Sequence, residues 1–179
     1  MEKAKDIKRL GDKAYQLGFE YEKTYRGCGQ CTIAALQDTL NMRNDDIFKA
    51  TTGIAGSAGM LCDTGCGAYI CGAIFIGSLI GRERDNITDP EGIRFKTHEI
   101  VRKLHDRFID EYGSAICRDI HMKLFGRYYY MPDKDEFIKF DNDGGHTTVC
   151  TEVVGKAARW VVEILAEEGL IPEKSRATG

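Results

Sequence analysis

The sequence predicts an all-α protein, a single-domain bundle of six or seven helices around one buried helix rich in glycine and alanine. Apolar residues recur at helical spacing through most of the 179 residues. A run of 17 residues from Gly65 to Gly81 carries no charge, and a helix that is apolar on every face must be buried. No internal repeat or linker divides the chain, so residues 1–179 are expected to form one domain.

Four helices are predicted in the first half of the chain, each bounded by a glycine or by a capping side chain: residues 2–24, 28–39, 46–51 and 69–80. A glycine-rich loop joins the third of these helices to the fourth. We expect the fourth helix to be the most buried element. Neighbouring helices should contact it closely at Gly72 and Gly77, because a glycine inside a helix costs roughly 1 kcal/mol relative to alanine.

The second half is expected to hold three helices and one irregular segment: residues 89–112, residues 116–125, the segment 126–146, and a helix from Thr147 or Thr148 to about Leu165. Asp89 offers a capping side chain, and Pro90 suits the first helical position. The segment 126–146 loses the helical spacing, and its aromatic runs fit two short strands or an ordered insertion. Residues 173–179 are expected to form a loose tail.

The charge pattern excludes several classes of protein. The net charge is −3, with acidic and basic residues interspersed, so no nucleic-acid partner is expected. The uncharged run is shorter than the about 20 residues of a membrane span, and the first residues do not form a secretory leader. We therefore expect a cytoplasmic protein without a membrane partner. The glycines follow no predicted strand, and the chain contains no phosphate loop or nucleophile elbow.

Seven cysteines, an odd number, decide the functional hypothesis. In a reducing cytoplasm, cysteines stay free, bind metal or act as redox groups. Cys28-x-x-Cys31 opens a predicted helix with the spacing of dithiol redox sites and of half a metal site. Cys62, Cys66 and Cys71 surround the end of the glycine-rich loop, where the helix dipole is expected to favour the thiolate of Cys66. Each cysteine also has a simpler interpretation as a small packed residue.

Two later cysteines lie near histidines. Cys117 precedes His121 by four residues and Cys150 follows His146 by four, a spacing that places two side chains on one helix face and allows metal chelation. The alternative is that both histidines are ordinary surface or core residues. No histidine follows the Cys-x-x-Cys motif, so covalent haem attachment is excluded.

Several short motifs occur in an order that is typical of one known family: Gln30–Ala34, Thr52–Gly53, Gly65–Ala68, Cys117–Asp119 and Cys150. Together they resemble the C_GCAxxG_C_C family of redox-active proteins, over roughly Cys31 to Ile164. The resemblance implies a redox role and assigns the four family cysteines to Cys31, Cys66, Cys117 and Cys150.

The chain also departs from the family pattern. Gly67 stands where the motif has alanine, so Cys71 is an alternative to Cys66 as the family position. Cys28 and Cys62 are additional thiols, and they favour a metal ion or a cluster.

The main hypothesis is a redox or electron-transfer protein whose clustered thiols act as dithiol and disulfide, or hold an iron–sulfur cluster or another metal. The residues expected to be catalytic and to bind the metal gather at the glycine-rich loop: Cys31, Cys66, Cys117 and Cys150. The residues expected to contact a cofactor are Cys28, Cys62, Cys71, Gly65 and Gly67. The alternatives are a structural zinc protein without turnover and a helical adaptor with packed cysteines. An unidentified redox partner is expected, and oxidoreductase activity and a homo-oligomer stay open.

Overall fold

The computed structural model describes residues 2–171, with side chains from residue 4 onward, and the tail predicted for residues 173–179 lies outside this part. Within it the chain forms eight α-helices: α1 (Glu2–Tyr25), α2 (Cys28–Leu40), α3 (Asp45–Ala50), α4 (Gly67–Ile80), α5 (Ile93–Tyr112), α6 (Cys117–Phe125), α7 (Lys134–Asn142) and α8 (Cys150–Glu167). These described residues contain two isolated β-bridges and no strand. The all-α prediction is confirmed.

The segment 126–146 holds helix α7 and no strand. Of the two predicted alternatives, the pair of short strands is therefore wrong and the ordered insertion is observed. The Asp133 side chain accepts hydrogen bonds from the N–H groups of Asp135 and Glu136 at the start of this helix. Phe137 and Phe140, three residues apart, then share one helix face, with ring centroids 6.5 Å apart. The helix is nine residues long, shorter than the window of about 11–18 residues in which helical spacing is recognised.

Helix α8 is the centre of the bundle and packs against α1, α2, α4 and α5. Its aliphatic side chains are buried along most of its length. Helix α4 contacts α2, α5 and α8, but Ile74 on its outer side is 37% exposed. Only 6 of the 14 residues of α4 are buried, against 9 of 13 in α2 and 11 of 18 in α8, so α4 is not the most buried of the described helices. This corrects the expected order of burial.

The two interior glycines of α4 have different surroundings. A Cβ on Gly72 would lie 2.8 Å from Leu104 Cδ2 and 3.0 Å from Val161 Cγ2, so α5 and α8 approach this helix too closely for a side chain. A Cβ on Gly77 would meet no atom within 4 Å. The predicted close contact is confirmed at Gly72 and is wrong at Gly77, which lies on the open side of the helix.

Helix α5 begins at Ile93, four residues later than predicted. The Asp89 carboxylate accepts the N–H groups of Ile93 at 2.7 Å and Arg94 at 3.1 Å. It therefore satisfies two free donors of the first helical turn from outside the helix. Pro90 lies in the preceding turn rather than at the first helical position.

The chain enters α8 through one turn of wider helix. Residues Gly145–Val149 form a π-helical turn, and α8 begins directly after it at Cys150. Such turns are rare and occur often at functional sites. This one carries His146 and leads to Cys150, next to the boundary between the main core and a smaller apolar cluster around Tyr129.

Candidate functional site

A cavity of about 220 Å³ lies where the main core meets the smaller cluster. Four thiols line it, those of Cys28 at the start of α2, Cys66 before α4, Cys117 at the start of α6 and Cys150 at the start of α8. Four helix N-termini therefore meet at this cavity. At α2, α4 and α6 the partial positive charge of the helix N-terminus favours anions and thiolates. At Cys150 the backbone N–H is already bonded to Gly145 O in the π-helical turn.

Backbone hydrogen bonds fix the end of the glycine-rich loop to the start of α6. These bonds run from Cys66 N–H to Ala115 O (2.8 Å), from Cys117 N–H to Thr64 O (3.0 Å) and from Arg118 N–H to Cys62 O (2.8 Å). Gly65 and Ile116 face each other in this short antiparallel pair. The pairing holds Cys62 and Cys66 of the loop close to Cys117, which lies about 50 residues later in the chain.

One group of side chains in this region could hold a metal ion. The donor atoms of Cys62, Cys117 and His121 all lie within 4.8 Å of one another, and all three residues are buried. His121 Nε2 is 3.8 Å from Cys117 Sγ and 3.9 Å from Cys150 Sγ. Tetrahedral bonds of about 2.3 Å to sulfur and about 2.05 Å to nitrogen would separate such atoms by roughly 3.6 Å. Small side-chain shifts therefore suffice for metal binding.

Cys62 has a left-handed backbone conformation, with φ of +60°. A residue with a Cβ adopts this conformation at a cost of about 1–2 kcal/mol, and such residues cluster at functional sites. The Cys62 and Cys117 sulfurs lie within 4.8 Å of each other. Their interaction lowers the pKa of Cys62, whereas the same interaction and burial raise the pKa of Cys117. When the pair loses one proton, the charge therefore lies on Cys62.

His121 is buried among aromatic rings. Its ring stacks on Phe140 with centroids 5.3 Å apart, and Phe125 and Tyr129 present ring edges at 5.4 and 6.0 Å. Burial lowers the pKa of His121 to about 4, so the imidazole is neutral near pH 7, as metal ligation requires. Its Nδ1 has no hydrogen-bond partner in the described part of the chain, so packing orients the ring.

Burial keeps the other cavity thiols protonated. It raises the pKa of Cys66 to about 11, although two backbone N–H groups of α4 lower it. Burial and, after it, the charge of Glu22 raise the pKa values of Cys28 and Cys150 well above the ordinary cysteine value. The expected thiolate at Cys66 is corrected, because desolvation outweighs the helix N-terminus.

Gly67 allows the Cys28 thiol to reach the cavity. A Cβ at Gly67 would lie 2.5 Å from Cys28 Sγ and 3.0 Å from the Ile54 carbonyl oxygen. Gly65 packs instead against Ile70, because a Cβ added to Gly65 would lie 3.1 Å from Ile70 Cγ1. The two glycines shape the loop and do not line the cavity themselves.

Three of the predicted site cysteines do not line the cavity: Cys31, Cys62 and Cys71. The Cys31 thiol donates a hydrogen bond to the Arg26 carbonyl oxygen at 3.2 Å and lines a separate surface groove. Cys71 is buried in the main core, where its sulfur would be 2.8 Å from a Cβ on Gly29. The cysteines that line the cavity are Cys28, Cys66, Cys117 and Cys150, and Cys62 contacts one of them.

An ionisable group that was not among the predicted site residues lies beside the thiols. Glu22 of α1 lines the cavity, is 2% exposed, and has an Oε2 without a hydrogen-bond partner in the described residues. Burial raises the pKa of Glu22 to about 7. Its Oε1 lies 3.9 Å from His146 Nε2, and His146 Nδ1 is hydrogen-bonded to Asp141. One sequence pattern could have indicated that Glu22 is buried. Ala14, Gly18 and Glu22 follow one another at intervals of four residues, so Glu22 continues a buried stripe of small residues on α1.

These features define an all-α protein with a thiol-lined cavity at the N-terminal ends of four helices. A family model described as "Putative redox-active protein (C_GCAxxG_C_C)" matches residues 27–164, and the chain belongs to this family. The resemblance drawn from the motifs is therefore confirmed. No curated protein and no solved structure matches the chain. Among the described residues, no helix combines the length and the apolar character that crossing a membrane would need.

Proposed function

We propose that the protein performs redox chemistry with a thiolate-bound iron centre in this cavity, as an iron–sulfur cluster or a single iron ion, and exchanges electrons with a redox partner. The observation that carries the proposal is the convergence of donor atoms from Cys62, Cys117 and His121 within 4.8 Å. The thiols of Cys28, Cys66 and Cys150 lie around the same cavity. Membership of a family described as redox-active supports the reaction class.

The donor set suits soft and borderline transition metals. Thiolate and imidazole ligands select iron, zinc and copper over magnesium or calcium, and cysteine thiolates, with histidine in some cases, hold iron–sulfur clusters. The cavity of about 220 Å³ is several times the roughly 30 Å³ that one water occupies in the liquid. It therefore has room for a polyatomic group. When bound, an iron centre supplies a one-electron couple.

The protonation of the thiols favours a metal over free thiol chemistry. Burial raises the pKa values of Cys28, Cys66 and Cys150, so these thiols are neutral near pH 7 and are poor nucleophiles. A bound metal ion reverses this effect, because coordination deprotonates the thiol. The metal-free cavity is therefore a weak site for thiol chemistry and a suitable precursor for a metal centre.

The test is anaerobic purification followed by measurement of iron, acid-labile sulfide and the visible spectrum. We expect bound iron with thiolate charge-transfer absorption that dithionite bleaches. Cys117→Ser should lose most of the iron, because serine keeps nearly the same volume and removes the soft ligand. Cys71→Ser is the matched control, since Cys71 is equally buried but lies outside the cavity. Zinc without iron would favour the structural zinc alternative, and iron retained by Cys117→Ser would contradict the proposed ligand set.

A second candidate function is a dithiol–disulfide couple formed by Cys62 and Cys117. Their direct contact lowers the pKa of the Cys62 thiol, and disulfide exchange requires a thiolate. In this reaction glutathione disulfide takes two electrons and two protons from the pair, which leaves one protein disulfide and two glutathione thiols. Reversible formation of this bond in metal-free protein, lost in Cys62→Ser and kept in Cys71→Ser, would favour this function over the iron centre.

A reducing cytoplasm is the proposed compartment. All seven cysteines are free thiols in the structure, and free cysteines persist in reducing compartments. Counting free thiols by mass spectrometry after acid quenching of cells checks this assignment. Several disulfides in the quenched protein would contradict it.

A further inference from the structure

Part of the wall of this cavity is apolar. Met60, Met131, Phe137 and Phe140 contribute to this wall. At about 220 Å³, the cavity exceeds the about 150 Å³ of an engineered apolar cavity in another protein that binds benzene. It therefore has room for a small ring or a branched alkyl group.

One carboxyl group, that of Glu22, lines this cavity beside the polar side chains of Arg26, His121 and His146. Glu22 is 2% exposed, and its Oε2 has no hydrogen-bond partner in the described residues. A buried carboxyl oxygen without a partner is costly, because it has lost water and gained nothing in return. Ligand sites combine an apolar lining with a few polar groups that orient the ligand. The free oxygen of Glu22 fits this role.

The charges around Glu22 select a cation. Arg26, one turn further along α1, pairs with Asp141 of α7, with 3.0 Å between Nη1 and Oδ2. His146 also bonds to Asp141, and burial lowers the pKa of His146, so its ring is neutral near pH 7. The other titratable groups around Glu22 are thiols with raised pKa values: Cys28, Cys31, Cys66 and Cys150. Arg26 also lines the cavity, and its charge lowers the pKa of Glu22. Its guanidinium pairs with Asp141, however, and Glu22 forms no ion pair with a lysine or arginine among the described residues.

We propose that this cavity binds a small primary amine with an apolar body, whose ammonium group donates to Glu22 Oε2. The body of the amine lies against the methionine and phenylalanine side chains of the wall. His146 Nε2 stands 3.9 Å from the other Glu22 oxygen, beyond hydrogen-bond distance, and its Nδ1 is bonded to Asp141. The contact requires no metal, so it does not depend on the proposed iron centre.

Benzylamine is the probe, and benzyl alcohol is its neutral counterpart of nearly the same shape. Metal-free protein is titrated in a calorimeter at pH 8, where Glu22 is ionised. Benzylamine should bind at least tenfold more tightly than benzyl alcohol. Glu22→Gln keeps the shape of the side chain and should remove this difference. Glu163→Gln is the matched control, because Glu163 is a partly buried carboxylate in a separate groove, and it should bind like wild type. Circular dichroism verifies that both variants are folded.

Two results would overturn the proposal: equal affinity of the wild-type protein for both probes, or an unchanged preference for benzylamine in Glu22→Gln. A Co²⁺ titration of the same proteins separates the amine site from the metal centre, because cobalt–thiolate absorption reports the metal ligands. An unchanged cobalt spectrum in Glu22→Gln supports the amine role, whereas a changed spectrum would make Glu22 a metal ligand and overturn it. Cys117→Ser should lose cobalt and still bind benzylamine. The amine site and the metal centre can therefore be refuted independently of each other.

Discussion

Replacement of Gly67 by alanine tests the geometry of the site most directly. The new methyl carbon would lie 2.5 Å from Cys28 Sγ and 3.0 Å from the Ile54 carbonyl oxygen. Ordinary contacts between such atoms need about 3.5–4.0 Å. The sulfur must therefore move by about 1 Å or more, away from its position on the cavity wall, or the start of α4 must shift.

The expected cost follows from this overlap. Overpacking of a well-packed interior costs about 1–3 kcal/mol. Gly67 is the first residue of α4, so alanine gains little of the roughly 1 kcal/mol that it gains inside a helix. A net loss of about 2 kcal/mol lowers the melting temperature of a chain of this size by roughly 4–8 °C.

Urea denaturation of the metal-free protein measures this loss. Gly77→Ala is the matched control, because it makes the same change in the same helix where a Cβ meets no atom within 4 Å. It should gain about 1 kcal/mol from helix propensity. In a Cys28→Ala background the cost of Gly67→Ala should fall by about 1–2 kcal/mol, since the clashing sulfur is gone. A Gly67→Ala protein as stable as wild type, or an equal cost in both backgrounds, would refute the reasoning.

Three further predictions concern stability. The pKa of Glu22 is raised from 4.5 to about 7, so its stabilising contribution is complete below about pH 4.5 and is lost as the pH rises through 7. In urea denaturation, the free energy of unfolding of Glu22→Gln should therefore exceed that of wild type by roughly 2–3 kcal/mol at pH 8 and equal it at pH 4. A difference that does not change with pH would contradict this. Tyr129→Phe should lose about 1–2 kcal/mol in calorimetry, because the hydroxyl donates to Asp143 at 2.6 Å. Asp89→Ala should lower the free energy of unfolding by about 1 kcal/mol, because it removes the side chain that caps α5. Asp89→Asn should retain most of this stability. An unchanged midpoint in Tyr129→Phe or Asp89→Ala would count against the corresponding contact.

Local patterns predicted most helices because their signals lie within each helix. The stripe of α1 and the uncharged run of α4 place both helices close to their observed bounds. The start of α5 was predicted too early, since Asp89 caps from a turn outside the helix. Helix α7 was not predicted because its two turns are too short for a helical repeat of apolar residues to be recognised.

The site was only partly predictable, because it depends on packing between distant segments. Cys28 and Cys31 both open α2, and only the contact of Cys28 with Gly67 brings Cys28 rather than Cys31 to the cavity. The pKa of Cys66 depends on desolvation, which a sequence pattern does not report. Glu22 shows the same limit, since a glutamate in an amphipathic helix is predicted to face water until its neighbours are known.

The antiparallel packing of α1 against α8 sets the order in which the site is assembled. Arg159 of α8 pairs with Asp12 of α1 at 2.8 Å, and His146 faces Glu22 at the other end of this contact. During synthesis, the ribosome releases Cys28, Cys66 and Cys117 before the residues that close the cavity exist. A nascent chain therefore exposes these thiols to oxidants until α8 docks. The proposed metal centre would consequently be filled only after α8 has docked, and a chain truncated before Cys150 lacks one of the four thiols that line the cavity.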